Sequence, residues 1–161
     1  MRRRTLGRLA LPGAVLLLVA LVYAATPERR VEVVDRDTGK SYYSAEVEDG
    51  DTVRLQWTHT VEKTPWVEEY EVSGGKLDLR EARVKSFGAG VDQIAPEVEN
   101  ENGWVILRGT DRSFEELRFI NSRRAERALR VDGESVDLQR LPRYAAVGVS
   151  VENRPRLLWW M

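Results

Sequence analysis

From residue 31 onward, apolar residues alternate with polar ones, and clusters of Gly, Pro, Asn and Asp break the alternation about every eight to twelve residues. A period of two places successive side chains on opposite faces, so each segment can bury one face and wet the other. The pattern predicts strands over residues 31–34, 42–47, 52–60, 66–72, 77–87, 104–107, 114–120, 129–131, 136–138 and 146–151. Asp49-Gly50-Asp51, Ser73-Gly74-Gly75 and Asp132-Gly133 read as hairpin turns. The expected fold is all-β, an antiparallel sandwich or partly open barrel of about 8–10 short strands. Its predicted core contains Val53, Leu55, Trp57, Leu77, Leu79, Phe87, Leu107 and Phe119. One stretch offers a competing pattern. Ser113-Phe114-Glu115-Glu116 has the spacing of a helix capping box, and Ala125, Ala128 and Leu129 recur at helical intervals. A helix over 113–130 would put Asn121 and Ser122 in its middle, where their side chains compete for backbone hydrogen bonds, so strands are preferred.

Residues 1–30 differ in kind. Arg2, Arg3, Arg4 and Arg8 precede an uncharged run over residues 9–25, seventeen residues that as a helix would span roughly 25 Å, slightly less than the roughly 30 Å hydrocarbon core. The basic front is expected to stay cytoplasmic and residues beyond 25 to lie outside, either on a single-pass anchor or, if the segment is cleaved, as a secreted protein. Val22-Tyr23-Ala24 loosely fits the small-residue rule for signal peptidase. The expected organisation is a signal peptide or membrane anchor over 1–25, a linker over 26–30 and a single β domain over 31–161. The tail, Arg154-Pro155-Arg156-Leu157-Leu158-Trp159-Trp160-Met161, is apolar for a chain end. Three readings of it compete: a last strand packed on the core, which is preferred, an interfacial foot, or a partner-binding tail.

Composition excludes several chemistries. The formal charge of -1 hides an asymmetry, because residues 1–30 hold six Arg and one Glu and the remainder carries 19 positive and 25 negative charges, net -6. An acidic body does not suit phosphate-backbone binding, so no nucleic-acid partner is expected. With no Cys and one His, there is no thiol nucleophile, Cys-ligated metal or paired-imidazole site, and no metal or cofactor is expected. No Ser lies in a G-x-S-x-G elbow. Residues 92–103 bunch oxygen ligands without the spacing of a calcium loop. No catalytic residue is assigned and enzyme activity is not expected, although Glu62 and Glu69 could form a carboxylate pair.

The densest polar cluster is residues 57–70, Trp-Thr-His-Thr-Val-Glu-Lys-Thr-Pro-Trp-Val-Glu-Glu-Tyr, which gathers the single histidine, three carboxylates, two tryptophans and a tyrosine within fourteen residues. His59 shares a strand face with Val53, Leu55 and Trp57, and a buried imidazole needs partners for both nitrogens, which Glu62, Glu68 or Glu69 could supply. Both a ligand site and a structural histidine bridging the hairpin around Pro65 satisfy that requirement. If the acids converge, His59, Glu62 and Glu69 are the expected group.

Trp57, His59, Val61, Glu62, Lys63, Pro65 and Trp66, with Glu69 taken as the glutamate that follows, and then Ser86, Gly88, Ala89 and Gly90, resemble the two motifs of the DUF1850 family. Thr60 stands where serine is commoner in that pattern and keeps the hydroxyl. The resemblance covers roughly residues 50 to 150. It implies a small extracytoplasmic protein of unknown biochemical function, often encoded beside TRAP-type (TAXI) transporter permeases. It therefore suggests an accessory or binding module, with a cation- or small-ligand-binding domain or a His–Glu hydrolase as alternatives. Ligand-binding candidates are His59, Glu62, Trp66, Glu69, Ser86, Gly88 and Gly90.

Overall fold

The structure, a computed structural model, describes residues 7–86 and 95–160. The chain divides into two compact units, one made of its two ends, up to Glu28 and from Asn153, and one of Arg29–Glu152.

In the unit of chain ends, helix α1 (Gly7–Ala25) closes on Thr26, whose N–H donates to the Val22 carbonyl at 3.0 Å and whose hydroxyl donates to the Tyr23 carbonyl at 2.6 Å. Leu16, Leu17, Leu18, Val19, Leu21 and Val22 are all exposed, so over the described residues 13–25 α1 buries no apolar stripe. At 19 residues α1 is about 28 Å long. Among the described residues no helix is long and apolar enough to cross a membrane; the expected span over residues 9–25 begins on side chains outside the described ones. The tail is not a strand on the core. Arg156–Trp160 is a 3-10 turn, Leu157 and Leu158 are exposed, and Arg156 donates to the Tyr23 hydroxyl at 2.6 Å with its guanidinium 4.6 Å from that ring.

Twelve strands are described. They are β1 (Pro27–Asp35), β2 (Ser41–Glu46), β3 (Thr52–Thr58), β4 (Pro65–Ser73), β5 (Lys76–Val84), β6 (Glu97–Glu101), β7 (Trp104–Arg108), β8 (Ser113–Phe114), β9 (Glu116–Ile120), β10 (Ala128–Val131), β11 (Glu134–Val136) and β12 (Ala146–Pro155). The residues expected as a linker thus begin β1, and β6 falls within residues 92–103, where no strand was expected. One sheet runs β2-β1-β12-β9; the larger runs β11-β10-β3-β4-β5-β7-β6, with β8 also paired to β5. Val31, Val33, Val147 and Val149 of the first sheet share a core with Val53, Leu55, Val72, Leu77, Leu79 and Leu129 of the second. Two antiparallel sheets packed through valine and leucine make a sandwich; they do not close into a barrel.

Of the predicted core, Val53, Leu55, Leu77, Leu79 and Leu107 are buried, Trp57 and Phe119 pack half-buried against it, and Phe87 lies outside the described residues. Gly74-Gly75, Asn102-Gly103 and Asp132-Gly133 each close a two-residue hairpin with both residues at positive φ, as a type I′ turn requires. Asp49-Gly50-Asp51 does something else. It carries the chain from the smaller sheet to the larger, and it docks on the end of β4, where Gly50 N–H donates to the Val72 carbonyl at 2.9 Å and Asp49 accepts from Gly74 N–H at 2.9 Å. Between β4 and β5 the register shifts at Glu69/Tyr70, so Arg80 is an extra residue on β5. This bulge switches the inward parity from Leu77 and Leu79 to Ala82 and Val84, which pack with Trp66, Val105 and Leu107 in a second, smaller cluster.

Candidate functional site

The β3–β4 hairpin builds one wall of the site. Its register pairs Val53 with Tyr70, Leu55 with Glu68 and Trp57 with Trp66, so all six side chains share one face. Trp57 and Trp66 stack, with centroids 5.4 Å apart and planes 18° apart, and the His59 ring lies 5.4 Å from Trp66 at 31°. The bend between the strands is held by His59. Its N–H donates to the Thr64 carbonyl at 2.8 Å, its carbonyl accepts from Lys63 N–H at 2.9 Å, and its Nδ1 accepts from Glu62 N–H at 3.3 Å. Lys63, at φ 56°, takes the left-handed conformation that this turn needs.

Glu62 therefore orients the imidazole through its backbone. Its carboxylate instead accepts from the Ser86 hydroxyl at 3.3 Å, which ties the hairpin bend to the end of β5. Glu69 does not converge with His59. It stands opposite Arg54 on β3 and Glu81 on β5, on the other face of the sheet, because strand alternation sends residue 69 away from the face of 66, 68 and 70. Gly88 and Gly90 lie outside the described residues. Of the expected residues, His59 and Trp66 line one cavity, and Glu62 and Ser86, bonded to each other, are not in its lining.

That cavity, about 660 Å³, opens between the Trp57–Trp66 face and strands β8 and β9. Its further walls are Glu68 and Tyr70 from β4, Arg112 and Phe114 at β8, Glu116, Leu117, Arg118 and Phe119 from β9, and Arg127 just before β10. Aromatic surface with a few placed polar groups, in a volume of this size, is the usual composition of a small-molecule pocket.

Two of the polar groups form an inner pair. The Tyr70 hydroxyl donates to the Glu68 carboxylate. Burial pushes the Glu68 carboxyl above the usual glutamate range, against the opposing pull of Tyr70, Arg112 and the Trp66 indole. Burial, and after it the Glu68 charge, pushes the Tyr70 phenol up, so at neutral pH Tyr70 stays a donor. Trp66 is buried, and its indole N–H completes no hydrogen bond among the described residues, although it lies near enough to Glu68 to favour the carboxylate. Glu116 pairs with Arg36 at 3.0 Å and with Arg118 at 2.5 Å. Arg127 donates to the Ile120 carbonyl at 2.8 Å, lies 5.2 Å from the Phe119 ring, and has its basicity lowered by burial.

Among the described residues no group of three His, Asp or Glu side chains could hold a metal ion. The Ser86 hydroxyl is bonded to Glu62, so the described geometry does not join it to His59 as a nucleophile–base pair. Arg112 and Arg127 were not among the residues singled out from sequence, and Glu68 and Tyr70 appeared there only as members of the polar cluster, Glu68 as one possible partner of His59. Counting by two from Trp66 reaches Glu68 and Tyr70. No local pattern points to the arginines, which arrive from strands distant in the chain.

A two-sheet β domain with an aromatic, arginine-bearing pocket at the meeting of its sheets is the class that fold and site define. A family model described as a domain of unknown function (DUF1850) matches residues 53–138, more than half of the chain, and the chain belongs to that family. Every residue lining the pocket falls within the matched segment. No curated protein and no solved structure matches the chain.

Proposed function

We propose that the Arg29–Glu152 unit is a binding module that takes a small organic molecule into the cavity between the Trp57–Trp66 face and β8–β9. The observation that carries this reading is the cavity itself: about 660 Å³, walled by stacked aromatic rings, with the Glu68–Tyr70 pair and Arg127 as its polar groups. His59, Glu62 and Ser86 act as positioning residues that fix the hairpin bend and hence the tryptophan wall. The module works outside the cytoplasm, associated with the membrane through residues 9–25. Supporting this are the arginines that precede that run and the apolar side chains that α1 leaves exposed. In this reading the protein serves as an accessory to a TRAP-type (TAXI) solute transporter, a partner suggested by the family resemblance.

The binding reading is tested by thermal melting of the full chain against small carboxylates, amino acids, amines and neutral aromatics, because a ligand that binds only the folded state raises the melting temperature. Stabilisation by at least one class, lost in Trp57→Leu, is the expected result. No stabilisation by any class would contradict it.

A further inference from the structure

We infer that the pocket's ligand is an organic anion, with its carboxylate or phosphate group seated on Arg127 and an apolar body against Trp57. This rests on the binding reading and adds the chemical class. Arg127 directly precedes Ala128, which pairs with Gln56, so it stands level with Trp57 at the end of β3. One of its N–H groups is committed to the Ile120 carbonyl, and its guanidinium is held beside the Phe119 ring. Among the described residues no carboxylate pairs with it. Both lining acids are engaged elsewhere: Glu68 accepts from Tyr70, and Glu116 is shared by Arg36 and Arg118.

A half-buried cation with no counter-ion bears a desolvation cost that an incoming anion offsets. A guanidinium already fixed by one backbone bond and a ring presents its remaining fork to a carboxylate or phosphate with little ordering left to do. Arg112 and Arg118 line the same cavity and add to its positive potential.

The full chain in lipid nanodiscs is titrated, by tryptophan fluorescence, with phenylacetate, phenyl phosphate, neutral phenylacetamide and inorganic phosphate. At least one of the two organic anions should bind about tenfold or more tightly than the amide, as expected for a charge-assisted pair. Whichever is tighter distinguishes carboxylate from phosphate chemistry. Arg127→Gln should erase the preference by weakening the organic anions about tenfold, and Arg127→Lys, which keeps the charge, should restore part of it. An amide that binds as tightly as both anions, or a preference that survives Arg127→Gln, overturns the inference and leaves the pocket reading standing. Inorganic phosphate binding as tightly as phenyl phosphate overturns the apolar-body half. Silence from all four probes overturns the inference, and the reading beneath it then stands or falls by the melting test with amino acids and amines.

Discussion

Trp57 and Trp66 are directly opposed across β3 and β4, with their rings stacked at 5.4 Å, and Trp66 also carries the His59 ring on its surface. The pair joins the main core to the smaller cluster around Ala82 and Val84, since Trp57 packs against both. Trp66→Ala should therefore cost about 3–5 kcal/mol in urea unfolding, and the half-buried Trp57 less. A double-mutant cycle should return a coupling of about 0.5–1.5 kcal/mol. Strictly additive losses would mean that the stacking contributes nothing beyond burial.

Glu68 and Glu81 give stability opposite slopes with pH. The folded-state pKa of Glu68 is raised above the ordinary 4.5 by burial. Between those two values the folded protein holds more protons than the unfolded chain, so stability falls as pH rises through the window. Burial also pushes Glu81 up, but bonds from Arg83 and Arg108 outweigh it and hold its pKa below 4.5. Its contribution is present above about 4.5 and lost as pH falls through the folded value. Glu68→Gln should flatten the decline above 4.5, and Glu81→Gln should blunt the acid limb. Stability curves measured from pH 3 to 8 that superimpose for wild type and Glu68→Gln would rule out the buried-carboxyl account.

Gly148 on β12 sits opposite Arg118 and against the Arg36–Glu116 ion pair. A Cβ there would lie 2.1 Å from Glu116 Oε1 and 3.1 Å from Arg36 Cγ. Gly148→Ala should expel the Glu116 side chain and release Arg118 toward the cavity, at about 1 kcal/mol because the displaced end is flexible. A loss well above 3 kcal/mol by thermal melting would indicate that the backbone of β12, rather than Glu116, gives way.

The N-terminal reading is checked by fractionation and protease protection. The full chain is expected to sediment with membranes, its C-terminal tail cut by protease added outside the cytoplasmic compartment. A chain recovered entirely in the cytoplasmic fraction would contradict this.

The strands and most of the core were legible because period-two alternation is a local property, and Gly-Gly and Asp-Gly declare type I′ turns on their own. Asn102-Gly103 carried the same declaration, and with it β6, but the acidic residues around it lack the apolar alternation that marks a strand. The parity change from Leu79 to Val84 already encoded the bulge at Arg80. The site was only half legible. His59 and Trp66 stood out by residue type, whereas placing an acid beside them required tracking faces, which selects Glu68 over Glu69. Arg112 and Arg127 reach the cavity through tertiary packing, which no window of the chain contains.

The central claim is that the cavity at Trp57 and Trp66 binds a small molecule, and indole N–H resonances of the isotopically labelled full chain test it most directly. The probe is a mixture of small carboxylates, amines and neutral aromatics. Trp57 and Trp66, which line the cavity, should shift and saturate on titration, while Trp104, stacked under Lys85 and absent from that lining, stays in place. Saturable shifts confined to Trp104, or no shift in any indole, would contradict the account.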